Sequence, residues 1–154
     1  MKVFYDLQEW RQFKRTGTLG FVPTMGALHD GHISLTKRSQ QENQQTLVSI
    51  FINPTQFNDP QDFQNYPQTL ESDLSKLKVD YVLAPNPAQM YPNGYHYKVT
   101  EDEISKILEG AHRPGHFDGM LTVVLKLLNL AQADKAYFGE KDFQQLELIK
   151  GLQQ

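Results

Sequence analysis

Short apolar runs alternate with helical patterns along these 154 residues, and that alternation leaves few folds open. The clearest strand covers 46–52, a β-branched apolar run halted by Asn53-Pro54. Shorter runs of the same kind lie at 18–22, 81–84 and 134–138. Between them the spacing predicts helices at 7–14 behind a cap at Asp6, at 33–43, at 69–78 behind Thr69, at 117–131 and at 140–152. Thr100-Glu101-Asp102-Glu103 has the form of a capping box and predicts a helix to about residue 109. Residues 86–94, with Pro87, Pro92 and Gly94, read as a loop. Strands alternating with helices imply an α/β fold: an open parallel sheet with helices on both faces. There is no repeat and no linker, and the length is one domain's worth of chain.

Composition removes several classes of function. Fifteen basic and 18 acidic side chains leave a net charge of −3, which argues against a nucleic-acid partner. Cysteine is absent, so there is no disulfide framework, thiolate nucleophile or thiolate metal site. No apolar run is long enough to span a bilayer, and the first residues lack a signal peptide's apolar core. The expected setting is cytoplasmic, with no membrane partner.

Three polar clusters follow three of the strands: PTMGALHDGH (23–32), Asn53-Pro54-Thr55-Gln56-Phe57 and Gly139-Glu140-Lys141-Asp142. Open α/β sheets bind ligands beyond the carboxyl ends of their strands, so parallel strands would bring all three clusters to one cleft. His29 and His32 sit where a strand hands over to a helix, whose free N–H groups and positive dipole end suit a phosphate. Lys141 in a helix's first turn invites an anion, since the dipole there opposes a cation. Arg113, in the loop Arg113-Pro114-Gly115, suits a carboxylate or phosphate. No dinucleotide fingerprint and no P-loop are present. Blander readings stand beside these. The histidines can simply cap the helix or lie in solvent, and with His112 and His116 they can be read as metal ligands. Gln56 can serve a turn, and Lys141 and Arg113 can be solvated surface residues. The run 121–130 reads as core.

Together the segments PTMGALHDGH, SIFINPTQF (49–57), YPQTLESDL (66–74), RPGHFDG (113–119), TVVLKLLNL (122–130) and AYFGEKDFQQL (136–146) resemble the pantoate–β-alanine ligase family, in that family's order. The resemblance implies a Rossmann-like domain of the HIGH-motif nucleotidyltransferase superfamily, with His29-Asp30-Gly31-His32 in the HIGH position. It implies that (R)-pantoate attacks the α-phosphate of ATP, giving pantoyl adenylate and pyrophosphate. The amine of β-alanine then displaces AMP, giving pantothenate.

Carried over position by position, the resemblance places Met25, Gly26, His29 and His32 on ATP, with His32 the proton donor. Gly139, Glu140, Lys141 and Asp142 would also hold the nucleotide, Lys141 on phosphate and Asp142 on ribose. Gln56 and Gln145 would grip pantoate, with Asn53 and Arg113 as further pantoate or phosphate contacts. Asp73 lies where the family places acidic residues near Mg²⁺, although Ser72 stands where a second carboxylate is often found. Residues 1–154 would form the N-terminal nucleotide- and pantoate-binding domain, without the later loop and C-terminal lid domain. A homodimer and a poorly active chain are expected. The alternatives are another HIGH-class nucleotidyltransferase and a non-catalytic nucleotide-binding module.

Overall fold

Strand residues here alternate between two separate apolar cores, so the sheet must be covered twice. The computed structural model describes residues 1–139 and 143–152. Among these, five strands form one parallel sheet: β1 (Lys2–Phe4), β2 (Leu19–Thr24), β3 (Gln45–Ile50), β4 (Tyr81–Leu83) and β5 (Lys135–Ala136), in the order β1-β4-β3-β2-β5. The helices are α1 (Leu7–Gln12), α2 (Asp30–Glu42), α3 (Pro60–Asn65), α4 (Leu70–Lys76), α5 (Pro87–Met90), α6 (Glu109–His112), α7 (His116–Ala131) and α8 (Phe143–Leu152). Two short 3-10 turns cover Pro54–Gln56 and Ile104–Lys106.

Side chains alternate across a strand. Phe21, Leu47, Tyr81 and Leu83 therefore enter one core with Trp10 of α1, Phe117 to Ala131 of α7 and Leu148 and Ile149 of α8. Val22, Val48, Ile50 and Val82 enter the other, against Ile33 and Leu35 of α2 and Leu70 and Leu74 of α4. The Trp10 indole N–H donates to the Leu130 carbonyl at 2.7 Å, tying α1 to the end of α7.

Strand order sets where a ligand can enter. From β2 the chain moves one way through β3 and β4; β5 then pairs on the other side of β2. The reversal leaves a crevice beyond the carboxyl ends of β2 and β5. Pairing from Leu19↔Gln45 to Thr24↔Ile50 also brings β2 and β3 out level, so residues 25–29 and 51–56 leave the sheet side by side.

The expected parallel α/β fold is what the chain adopts. Asp6 caps α1, accepting from the Gln8 N–H at 2.8 Å. Some elements differ from expectation. β1, α3 and α5 were hidden by their shortness; α5 lies inside the stretch read as a loop. The helix expected after Thr100 is replaced by the 3-10 turn and α6. The reason is local: the Glu101 carboxylate takes the amides of Glu103, Ile104 and Ser105 and winds them around itself.

Candidate active site

The turn after β2 is built by backbone that few residues adopt. Gly26 has φ +82°, and Ala27, with a Cβ, is held at φ +50°. Left-handed backbone outside glycine is disfavoured by about 1–2 kcal/mol, so neighbouring contacts must hold Ala27 there. The chain then meets α2 with His29 as its cap. The His29 Nδ1 accepts from the Gly31 N–H at 3.0 Å, and the His32 Nδ1 accepts from the His29 N–H at 3.2 Å. A backbone N–H can only donate, so both Nδ1 atoms present lone pairs. Each neutral ring therefore carries its proton on Nε2. The rings lie 4.1 Å apart, centroid to centroid. Capping and ligand binding are thus compatible: the cap fixes the tautomer that makes each histidine a donor. Burial and the neighbouring His29 lower the His32 pKa below 6.5, against an upward pull from Asp73.

After β3 a second device orients Gln56. Asn53 is fully buried at 0% exposure. Its Oδ1 accepts from the Thr55 N–H and hydroxyl and from the Tyr91 hydroxyl at 2.8 Å. Its Nδ2 donates to the Gly119 carbonyl at 3.0 Å and to the Gln56 Oε1 at 3.1 Å. The His116 Nδ1–H donates to the Gln56 carbonyl at 2.7 Å. With Oε1 engaged, Gln56 offers its Nε2 donors. Gly119 makes this possible: a Cβ there would lie 2.4 Å from the Thr55 carbonyl oxygen, so only glycine lets α7 seat against the turn.

The cavity at the β2/β5 crevice has a volume of about 590 Å³, and Met25, His29, His32, Gln56, Gly139 and Gln145 line it. A second chamber of about 540 Å³ shares Met25, Gln56, Tyr66 and Gln145 and continues to Arg113 and His116. The structure therefore brings together Met25, Gly26, His29, His32, Gly139, Gln56 and Gln145, and sets Arg113 at the far end of the same cleft. Arg113 also pairs loosely with Glu109 at 3.6 Å. Glu140, Lys141 and Asp142 lie outside the described residues. Asn53 lies behind Gln56 and orients it, with its own polar atoms already engaged.

Asp73 departs furthest from expectation. It is 1% exposed, and its carboxylate accepts from the Ala27 N–H at 3.0 Å, the Leu28 N–H at 2.8 Å and the Thr69 hydroxyl at 3.1 Å. A carboxylate so enclosed does not fit the cation-ligand role that the resemblance implied. Nor, among the described residues, does any group of three or more His, Asp or Glu converge as a metal site. Sequence reading missed Tyr66, Tyr91 and Gly119. Tyr66 lay in a matched segment without an assigned role; Tyr91 and Gly119 act through partners remote in sequence.

Fold and site together define a parallel α/β domain whose crevice, beyond the strand ends, gathers two histidines and two glutamines. Comparison with known proteins makes this more specific. The family model for pantoate-beta-alanine ligase matches residues 1–154, and the chain belongs to that family. It is 56% identical over 150 residues to pantothenate synthetase of Bdellovibrio bacteriovorus, covering 96% of this chain and 59% of the relative. With the enzyme of Legionella pneumophila strain Corby, identity is 49% over 159 residues, covering 99% and 63%. The chain thus spans about three fifths of the length of these relatives. The crystal structure of pantoate-beta-alanine ligase from Francisella tularensis, complexed with beta-gamma ATP and beta-alanine, superposes with a TM-score of 0.93 at 48% identity. It covers 99% of this chain and 61% of its own. A pantothenate synthetase structure from Thermus thermophilus superposes with a TM-score of 0.89 at 42% identity, covering 99% and 58%.

Proposed function

We propose that this chain carries the adenylate-forming site of a pantoate–β-alanine ligase, condensing (R)-pantoate and β-alanine at the expense of ATP. The observation that carries the reading is the convergence of two N-terminal-cap histidines and two glutamines on one crevice at the β2/β5 reversal. The α2 N-terminus and the Nε2–H groups of His29 and His32 hold the phosphates. His32, whose pKa burial lowers, acts through its Nε2–H as a hydrogen-bond donor to the phosphates; the proton-donor role implied by the resemblance would fall to its imidazolium form. Lys141 neutralises phosphate and Asp142 takes the ribose, with Met25, Gly26, Gly139 and Glu140 beside the nucleotide.

Gln56 gives its Nε2 donors to the pantoate carboxylate and hydroxyl oxygens, and Gln145 grips pantoate from α8. Held there, the carboxylate oxygen attacks the α-phosphorus and pyrophosphate leaves. The β-alanine nitrogen then attacks the acyl carbon and AMP leaves. Adenylyl transfer of this kind needs positioning and charge stabilisation more than covalent chemistry. Mg²⁺ belongs to this reading as the counter-ion of the ATP phosphates, supplying charge neutralisation there.

Residues 1–154 serve in this reading as the nucleotide- and pantoate-binding domain, and a lid from elsewhere shields the acyl adenylate from water. The protein works in the cytoplasm as a homodimer. Among the described residues no helix is long and apolar enough to cross a membrane.

The test is pantoate-dependent ATP–pyrophosphate exchange by residues 1–154 beside the full-length Bdellovibrio relative. Exchange that requires pantoate and is slower in the shorter chain is expected. Replacing Gln56 with Leu should weaken pantoate about tenfold or more while sparing ATP. Exchange indifferent to pantoate would discard the proposal in favour of another nucleotidyltransferase.

A further inference from the structure

The turn that delivers the histidines is gripped from outside. Asp73 and Lys76 lie three residues apart on α4 and therefore share a face. Asp73 takes the N–H groups of Ala27 and Leu28, and the Lys76 ammonium donates to the Leu28 carbonyl at 3.1 Å. Both polar ends of one short backbone stretch are thus held by complementary charges. The stretch includes Ala27 at φ +50°. The carboxylate is also packed against the neighbouring residue: a Cβ at Gly26 would lie 3.0 Å from Asp73 Oδ2. Thr69 steadies the same carboxylate from the turn before α4. His29, two residues beyond Ala27, begins the cap that fixes both imidazole tautomers.

We propose that Asp73 and Lys76 are positioning residues, a backbone clamp on residues 27–28 that aims His29 and His32, in the place where a divalent-cation ligand was expected. The carboxylate is spent on two amides and a hydroxyl, and an ammonium one helical turn away opposes a cation at the same spot. The clamp itself stands on hydrogen-bond geometry. Its consequence for nucleotide binding rests on the function proposed above.

The experiment uses isotope-labelled residues 1–154 with the variants Asp73→Asn and Lys76→Met. Asparagine keeps one acceptor but turns an N–H group toward the second amide. Amide exchange at Ala27 and Leu28 should accelerate about tenfold or more in Asp73→Asn, on the scale of one lost charged hydrogen bond. Imidazole nitrogen shifts should show His29 and His32 leaving their Nε2–H tautomers for a mixture. Lys76→Met, on an exposed side chain, should raise exchange at the same turn to a smaller extent. It decides the matter if Asp73→Asn fails to fold.

Mn²⁺ without nucleotide should leave the Ala27 and Leu28 signals sharp. Saturable Mn²⁺ broadening there that Asp73→Asn abolishes would overturn the clamp, as would unchanged exchange and tautomers in the folded variants. ATP titration separates the two levels. A wild-type chain that shows the clamp yet binds no ATP near the histidines refutes the proposed function and leaves the clamp standing. A released clamp with undiminished ATP affinity refutes the positioning role.

Discussion

Exchanging a single atom group at Asn53 should convert the orientation of Gln56 into a pH-dependent property. In Asn53→Asp the Oδ1 side keeps its three donors, Thr55 twice and Tyr91 once. The other side changes from donor to acceptor and faces two oxygens, Gln56 Oε1 at 3.1 Å and the Gly119 carbonyl at 3.0 Å. If the new carboxyl stays protonated, its one O–H restores one of the two bonds. The remaining unpaired acceptor costs roughly 1–3 kcal/mol.

Ionisation at a position with 0% exposure, against two oxygens, is worse, so the folded-state pKa must rise above the unfolded value of about 3.9. A raised carboxyl pKa gives stability that is fully present below the unfolded pKa and is lost as pH rises through the folded one. Between the unfolded and the raised folded value, each pH unit removes up to about 1.36 kcal/mol of stability. Native domains have about 5–15 kcal/mol in total, so the variant should be folded at pH 5 and marginal at 7. Denaturant unfolding at the two pH values, corrected for the wild type, measures this directly. Equal destabilisation at pH 5 and 7 would refute the two-acceptor geometry and with it the orientation assigned to Gln56.

Two further outcomes follow from the same structure. His32 should titrate below 6.5 in a proton-resolved NMR experiment. Because its pKa is depressed on folding, its contribution to stability is present above 6.5 and is lost as pH falls through the folded value, a loss that a His32→Gln variant should not show. Gly119→Ala should cost roughly 1–3 kcal/mol in denaturant unfolding, the range for forcing atoms into a filled contact, and should weaken pantoate more than ATP, because the displaced turn carries Gln56.

The parallel sheet was legible because its strands are buried on both faces and so read as continuous apolar runs, as in Leu47-Val48-Ser49-Ile50. The histidine cap and Gln56 were legible because each follows a strand end directly. What stayed hidden was long-range. Nothing near Asp73 in sequence indicates that its carboxylate meets Ala27 and Leu28, 46 and 45 residues away. The expectation of a cation ligand there came from resemblance alone, and Ser72 was the only local departure. Nor does anything near Asn53 in sequence indicate its bonds to Tyr91 and Gly119, 38 and 66 residues off. Glu101 defeated a capping-box pattern by binding three following amides, a competition that a four-residue motif does not encode.

These separations also order the assembly of the cleft in time. The β2-α2-β3 unit closes over a short stretch of chain, since Gln44 and Thr18 already join its ends across 26 residues. Its histidine cap is made within four residues. The glutamine half has no such independence. Asn53 reaches Gln56 locally, but it is buried and fixed only when the Tyr91 hydroxyl and the Gly119 carbonyl on α7 arrive, and α7 is itself moored to Trp10 across 120 residues. Closing loops of that size is the slow part of folding. A chain emerging from the ribosome would therefore display its imidazoles long before it owned a grip for the acid, and the two halves of the site would become one only with the last large helix.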